Sequence, residues 1–194
     1  MSFFRTILSL CDFTGNWSAP YSEAGYRVIR VDKKIAINPR RPNSYDGDVR
    51  LLEYLGPVHG ILAAPPCTMF ASSGARWTRT EAEMLDALSI VDACLRFVAI
   101  CKPAFWALEN PVGKLSRYLG PPAMRFDPWW YGRVTGDDYT KRTCLWGNFN
   151  IPKRDAIQPR RGSAMHRLPP NENRAALRSV TPIGFARAFF EANP

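Results

Sequence analysis

The chain has 194 residues, 46% of them hydrophobic, which fits one domain with a substantial core. Lysine and arginine number 26 against 17 acidic residues, so the net charge of +9 favours a polyanionic partner over an inert basic surface. No apolar run approaches the roughly 20 residues of a membrane-spanning helix, which excludes an integral membrane protein of that kind.

The cysteines and histidines do not form a metal-binding pattern. The five cysteines contain no Cys-x-x-Cys pair, and only His59 and His166 could complete a metal cage. We therefore predict no metal site. An odd number of cysteines without a secretory signal predicts a reducing, cytoplasmic compartment. Cys94 and Cys101, on or beside a predicted helix, are interpreted as small core residues.

The first half of the chain alternates short apolar runs with helix-like stretches, a pattern typical of a parallel sheet covered by helices. Strands are predicted at residues 5–10, 26–31, 60–64 and 105–108. Pro65 and Pro66 end the third strand because neither can donate a backbone hydrogen bond. A turn containing Gly15 follows the first strand, and a helix is predicted to begin near Ser18.

A longer helix is predicted to begin at Thr80. Thr80 and Glu83 have the spacing of a capping box, and apolar residues then recur on one helical face. These residues are Met84, Leu88, Val91, Leu95 and Val98.

The second half of the chain is less regular. Residues 120–136 are rich in proline, glycine and aromatic residues and predict a loop or a small excursion. Residues 144–147 form a candidate late strand, and residues 152–170 predict an exposed basic loop. A final helix is predicted over residues 182–192.

Polar residues follow several of the predicted strands, where ligands gather in a doubly wound sheet. The Gly15 turn lets a ligand approach the backbone closely, but it lacks the G-x-G-x-x-G fingerprint of a dinucleotide site, which disfavours NAD. Asp32 follows the second strand and can accept two ribose hydroxyls, and Asp48 follows a third candidate strand. Each acid on its own could equally be a solvated carboxylate.

Cys67 and Glu109 also follow predicted strands. Cys67 comes after two prolines and precedes Arg76 and Arg79, so a rigid turn could project its thiol into a crevice where positive charge favours the thiolate. Glu109 is either a capping residue or a partly desolvated acid with a raised pKa. The residues alone leave structural roles open for both side chains.

At these positions the sequence resembles the cytosine carbon-5 DNA methyltransferases. Pro66-Cys67 with Phe70 matches the family's Pro-Cys-x-x-Phe-Ser loop, and Glu109-Asn110 matches its Glu-Asn-Val strand end. The resemblance covers nearly the whole chain in the family's order. It implies the α/β fold of class I S-adenosylmethionine-dependent methyltransferases, a Rossmann-like, doubly wound, mostly parallel sheet in a single compact domain.

The resemblance also implies a pocket for S-adenosylmethionine. Its predicted residues are Phe13, Gly15, Asn16, Trp17, Asp32, Asp48, Val49, Pro66, Ser179 and Val180. Asp32 would bind the ribose, Asp48 would lie on the adenine side, and Ser179 with Val180 would close the pocket.

The resemblance assigns catalytic roles to Cys67, Glu109 and Arg142. Carbon 5 of cytosine is too poor a nucleophile to take a methyl group, so the Cys67 thiolate would first add to carbon 6. Glu109 would hydrogen-bond or protonate ring nitrogen 3. Arg142, in a partial match to the family's Gln-x-Arg-x-Arg signature, would bind the base, which must be flipped out or already unpaired.

Several positions depart from the family's pattern: Trp17 stands where small residues are expected, Ala71 and Pro111 replace motif residues, and Arg178 replaces an asparagine. The long target-recognition region is missing. Within one catalytic domain over residues 1–194, a short basic loop at about 150–178 takes its place. This leaves little surface for reading bases and predicts a short or relaxed target sequence, or help from another protein.

The expected partner is DNA, held through phosphate contacts that position the protein without specifying sequence. The residues predicted to contact phosphate are Arg76, Arg79, Arg160 and Arg161. We predict a DNA cytosine-5 methyltransferase of a phage or restriction system. An RNA (tRNA) methyltransferase with the same chemistry and a catalytically silent nucleic-acid-binding module with the same fold remain alternatives, and the oligomeric state is not predicted.

Overall fold

A computed structural model describes residues 5–35, 44–54, 56–72, 78–168 and 174–194. Within these ranges seven strands form one sheet in the order β3-β2-β1-β4-β5-β7-β6. The strands are β1 (Thr6–Leu10), β2 (Arg27–Asp32), β3 (Ser44–Asp46), β4 (Gly60–Ala63), β5 (Phe105–Pro111), β6 (Met124–Phe126) and β7 (Thr143–Asn148). Strands β1 to β5 are parallel, whereas β7 runs antiparallel to both β5 and β6. The predicted doubly wound, mostly parallel sheet is confirmed.

Helices connect the strands and cover the sheet. In the described ranges these are α1 (Ala19–Glu23), α2 (Glu81–Cys101), α3 (Ser116–Leu119), α4 (Ala164–Arg167), α5 (Arg174–Ser179) and α6 (Ile183–Ala192), with short 3₁₀ turns at Val49–Leu51 and Pro128–Tyr131. None of them is long and apolar enough to cross a bilayer.

Helix α2 begins at the predicted capping box. The Thr80 hydroxyl accepts the Glu83 backbone N–H at 3.2 Å, and the Glu83 carboxylate accepts the Thr80 N–H at 2.8 Å. Such a cap stabilises a helix by about 1 kcal/mol. As predicted, Cys94 is buried in the core on this helix, and Cys101 packs against that core from a partly buried position.

The two faces of the sheet carry separate hydrophobic clusters because successive residues of a strand point to opposite faces. Leu8 and Ile61 belong to the cluster that contains the buried face of α2. Ile7 and Leu62 belong to the cluster that contains Phe185 and Phe189 of α6, together with residues of α1. Helices on both faces leave the carboxyl ends of the strands accessible.

The second half of the chain is more ordered than predicted. Residues 120–136, predicted as a loop, contain strand β6 and the Pro128–Tyr131 turn. The late strand is confirmed as β7. Within the predicted basic loop, backbone hydrogen bonds dock the segments at 155–157 and 160–162 onto residues 129–140, while Asp155, Arg160 and Arg161 remain exposed.

Candidate active site

The strand order reverses between β1 and β4, so their carboxyl ends form the switch point at which doubly wound sheets bind ligands. The turn after β1 is organised by Asp12. Its buried carboxylate accepts hydrogen bonds of 2.8 Å from Ser9 Oγ, Ser18 Oγ and the Gly15 backbone N–H. Gly15 has a φ of +73°, which favours glycine. No role was predicted for Asp12, and its hydrogen bonds show that it shapes this turn.

Phe13 and Asn16 flank the crevice, but Trp17 does not present its side chain to it. Phe13 is 43% exposed, whereas Trp17 is 1% exposed and packs against Phe185 and Phe189 of α6. The large side chain that departs from the family's pattern therefore fills the core between α1 and α6. Any contact of residue 17 with a cofactor would therefore come from its main chain, and its predicted place in the cofactor pocket stays a prediction.

The two predicted cofactor acids lie at the ends of neighbouring strands. Asp32 ends β2 and accepts the Lys34 N–H at 2.8 Å, and burial raises the pKa of its carboxyl. Asp48 follows β3, caps the short turn at Val49–Leu51 and binds Lys33 at 2.8 Å. Hydrogen bonds from Arg50, with further help from Lys33, hold the pKa of Asp48 well below its ordinary value. The side chain of Val49 is buried in the core.

An open cavity of about 590 Å³ lies beside these acids. Its lining joins the end of β2 to the loop after β4 and to the first turns of α2. The lining residues are Lys33, Pro66, Thr68, Met69, Ala82, Glu83, Asp86, Ala87 and Ile90. The volume is within the range of small-molecule sites. Pro66 lies on the wall of this cavity, and its predicted contact with the cofactor stays a prediction.

The loop that carries Cys67 is a tight turn anchored to the core. The Cys67 carbonyl accepts the backbone N–H groups of Phe70 and Ala71 at 3.0 and 2.8 Å, and the Phe70 side chain is fully buried. The Phe70 carbonyl accepts the Lys114 N–H at 2.7 Å. A Cβ at Gly113 would lie 1.9 Å from that carbonyl oxygen, so only glycine lets the segment after β5 approach this closely.

Glu109 and Asn110 lie within β5, which extends to Pro111 and so beyond the predicted strand. Asn110 is completely buried and donates a hydrogen bond of 2.9 Å from Nδ2 to the Pro65 carbonyl. The pairing of β4 with β5 ends at Ala63 and Leu108, so Glu109 is the next residue along β5, and the Cys67 loop leaves the end of β4 beside it. Burial raises the pKa of the Glu109 carboxyl, which favours its protonated form.

Charges from several elements act on the Cys67 thiol. Burial raises the pKa of Cys67, and the Glu109 carboxylate raises it further. Lys141 and Arg178 lower it, and Lys141 also lowers the pKa of Glu109. Cys67, Glu109 and Lys141 are therefore electrostatically coupled in one site. The sequence placed Lys141 only in a partial motif beside Arg142 and assigned it no role.

Lys141 is held in place at both ends. Its backbone N–H donates to Asp127 Oδ1 at 2.9 Å, and its Nζ donates to the Val180 carbonyl at 3.0 Å. Asp127 is buried at the end of β6, and its other oxygen binds Arg142 Nε at 3.1 Å. Asp127 thereby positions two consecutive basic residues at the start of β7. The Arg142 guanidinium is 54% exposed and lies over the Trp130 ring, 5.8 Å from its centroid.

The segment that follows α5 contacts both the turn after β1 and Lys141 through its backbone carbonyl groups. The Val180 carbonyl accepts Lys141 Nζ, and the Thr181 carbonyl accepts Asn16 Nδ2 at 3.5 Å. The Ser179 hydroxyl donates to the Ala176 carbonyl within α5. The segment at Val180 and Thr181 therefore connects the turn after β1 to Lys141, and its predicted role in closing a cofactor pocket stays a prediction.

Two of the predicted phosphate ligands have acceptors inside the protein. Arg79 donates to the Thr68 carbonyl at 2.7 Å and to the Met69 carbonyl, so it braces the Cys67 loop. Arg161 forms an ion pair with Asp138. These contacts use part of the donor set of each guanidinium group, and the predicted phosphate contacts of both residues stay predictions.

The other two predicted phosphate ligands differ from each other. Arg160 is exposed, in keeping with its predicted role. Arg76 lies outside the described residues.

No protein-family model matches the chain, and no curated protein matches it. Among solved structures it is similar to a putative DNA modification methyltransferase encoded within a prophage of E. coli, with 19% identity and a TM-score of 0.54. A mutant of Spodoptera frugiperda DNMT2 aligns with 17% identity and a TM-score of 0.40. Each alignment covers 86% of this chain and 56% of the other, so the chain spans just over half the length of these structures. The similarity to the prophage protein confirms a Rossmann-like methyltransferase fold.

Proposed function

We propose that the protein is an S-adenosylmethionine-dependent methyltransferase that acts on carbon 5 of cytosine in DNA. The observation that carries this proposal is the hydrogen bond from Asn110 Nδ2 to the Pro65 carbonyl, which connects the strand that carries Glu109 to the loop that carries Cys67. A nucleophile and an acid in one partly desolvated site are what covalent activation of a pyrimidine requires. The fold shared with the prophage methyltransferase supports the assignment.

The residues around the open cavity fit the cofactor. Pro66 offers an apolar wall of the cavity, and Asp32, next to the lining residue Lys33, supplies a partly desolvated carboxylate for ribose hydroxyls. S-adenosylmethionine would supply an electrophilic methyl group beside the Cys67 loop.

Cys67 and Glu109 perform complementary steps on the base. The Cys67 thiolate forms a bond to carbon 6, and the electron pair of the 5,6 double bond moves to the ring, where carbon 5 becomes nucleophilic. Glu109, whose protonated form is favoured by burial, donates to ring nitrogen 3 as negative charge develops there. After methylation, loss of the carbon-5 proton restores the double bond and expels the thiolate.

Lys141 offsets the cost of forming a thiolate in this site. Burial and Glu109 both disfavour the charged thiolate, and the Lys141 ammonium favours it. Its bond to the Val180 carbonyl holds the ammonium in place. We assign Lys141 to thiolate stabilisation as part of the same proposal.

The covalent step can be trapped with DNA that contains 5-fluorocytosine, because fluorine at carbon 5 blocks release of the enzyme. The wild-type protein with S-adenosylmethionine should form a denaturant-stable adduct, and Cys67→Ala should form none. Cys101→Ala, on α2, is the matched control and should retain the adduct. If the wild-type protein forms no adduct, or if Cys67→Ala still forms it, the proposed chemistry is wrong.

A further inference from the structure

Part of the segment predicted as an exposed basic loop is held firmly beside the candidate site. We call residues 153–157 the strap. The Asp155 N–H donates to the Trp130 carbonyl at 3.0 Å, and the Ile157 N–H donates to the Trp129 carbonyl at 2.9 Å. The Arg133 N–H donates to the Asp155 carbonyl at 3.2 Å. These bonds fix the strap against the Pro128–Tyr131 turn.

The strap places a second guanidinium on the Trp130 ring. Arg154 lies 3.5 Å from the ring centroid, and Arg142 lies 5.8 Å from it. A cation over an indole ring is attracted by the ring's negative face, and the planar guanidinium group also stacks on it. Both arginine side chains are nevertheless exposed. The protein therefore presents two oriented positive charges to solvent on one aromatic support.

The Trp130 ring and its two arginines are connected to the candidate active site through Asp127. Asp127, three residues before Trp130, binds both Arg142 Nε and the Lys141 backbone N–H. The Arg142 carbonyl accepts the Val112 N–H at 3.3 Å, directly beyond the stretch of β5 that carries Glu109 and pairs with β7. The paired arginines thus lie at the rim of the site in which a flipped base would react.

We propose that Arg142, Arg154 and Trp130 form a docking surface for the phosphodiester backbone of the DNA strand that carries the target cytosine. This inference rests on the proposed function and adds to it the surface that holds the substrate. Guanidinium groups bind phosphate oxygens through paired hydrogen bonds, and the net charge of +9 complements a polyanion. Phosphate contacts carry no base information, so the surface would position DNA with little sequence selectivity.

The salt dependence of DNA binding tests this surface. Fluorescence anisotropy of a labelled duplex would be measured from 50 to 300 mM NaCl with the full chain and no cofactor. Each lost phosphate contact lowers the slope of log K against log salt by about 0.9. Arg154→Ala should show this reduction and bind several-fold more weakly. Arg154→Lys, which keeps the charge, should retain most of the slope.

Arg187→Ala provides the matched control, because Arg187 is an exposed arginine on α6. It should leave the slope unchanged. The inference is overturned if Arg154→Ala and Arg187→Ala give equal slopes. DNA binding would then depend on the overall charge alone or would use another surface. An RNA of the same sequence that competes at least tenfold better than the duplex would overturn the assignment to DNA.

The result is separable from the test of the proposed function. Binding is measured without methyl transfer, so a missing 5-fluorocytosine adduct with an intact Arg154 effect would remove the chemistry and leave the docking surface. An intact adduct with no effect of Arg154→Ala on DNA binding would remove the docking surface and leave the chemistry. Circular dichroism of each variant confirms that the exposed substitutions leave the fold intact.

Discussion

Asn110 donates a hydrogen bond from its buried side-chain amide to the carbonyl of Pro65, at 2.9 Å. The bond connects the last residues of β5 to Pro65, the second residue of the loop that carries Cys67. Because Glu109 directly precedes Asn110, the same hydrogen bond fixes the position of Glu109 on β5 relative to the loop that carries Cys67. The asparagine of the Glu-Asn pair is therefore a positioning residue.

Replacing Asn110 with alanine should destabilise the protein and impair the site together. The Pro65 carbonyl would lose its buried donor, which costs about 1–3 kcal/mol of the free energy of unfolding. Urea unfolding measures this loss, and the rate of adduct formation on 5-fluorocytosine DNA should fall as well. Asn148→Ala, at the exposed end of β7, is the control. Unchanged stability and adduct rate in Asn110→Ala would show that the contact does not position the loop.

Replacing Glu109 with glutamine should make the Cys67 thiol more reactive while slowing turnover. The Glu109 carboxylate raises the pKa of Cys67, so its removal should lower that pKa and increase the thiolate fraction near pH 8. Turnover should nevertheless fall by about 10²–10⁴, because glutamine cannot protonate ring nitrogen 3. Iodoacetamide alkylation, quantified on the Cys67 peptide by mass spectrometry, measures the thiol independently of catalysis. Slower alkylation in Glu109→Gln would contradict the proposed coupling, and unchanged turnover would remove Glu109 from the mechanism.

Replacing Lys141 with methionine should have the opposite effect on the thiol. Loss of the ammonium should raise the Cys67 pKa, so the alkylation profile should move to higher pH, by tenfold in rate for each unit of pKa. Lys141→Arg should retain the wild-type profile because it keeps the charge. Lys153→Met, in the exposed strap, controls for the removal of a lysine. Identical profiles for Lys141→Met and the wild type would end the assignment of Lys141 to thiolate stabilisation.

Replacing Asp32 with asparagine should weaken binding of S-adenosylmethionine without changing Cys67 alkylation. Hydrogen bonds from ribose hydroxyls to a charged acceptor contribute about 1.5–3 kcal/mol, which corresponds to roughly 10- to 150-fold in affinity. Isothermal titration calorimetry measures the affinity. Asp92→Asn, on the exposed side of α2, should bind as the wild type does. Equal affinities for Asp32→Asn and the wild type would place the ribose elsewhere.

Local physical chemistry accounts for the features that the sequence predicted correctly. Apolar runs bounded by proline or polar residues mark β1, β2, β4 and β5, because a strand buried on both faces needs a continuous apolar segment. The capping box and helical periodicity mark α2 for the same kind of local reason. The residues at the strand ends followed from the rule that a parallel sheet gathers its ligands at one edge. Each of these signals lies within a few neighbouring residues.

Contacts between residues far apart in the sequence determine the features that were not predicted. The antiparallel entry of β7 brings Lys141 to Cys67, the packing of α6 buries Trp17, and hydrogen bonds to the Pro128–Tyr131 turn dock the strap. The hydrogen bond from Arg79 to the Thr68 carbonyl could not be predicted from the sequence, because it forms only when the chain is folded. Short-range patterns report which backbone conformation a segment prefers. They do not report which remote partner will satisfy a charge or cover an aromatic ring, because that depends on the closed three-dimensional arrangement of the chain.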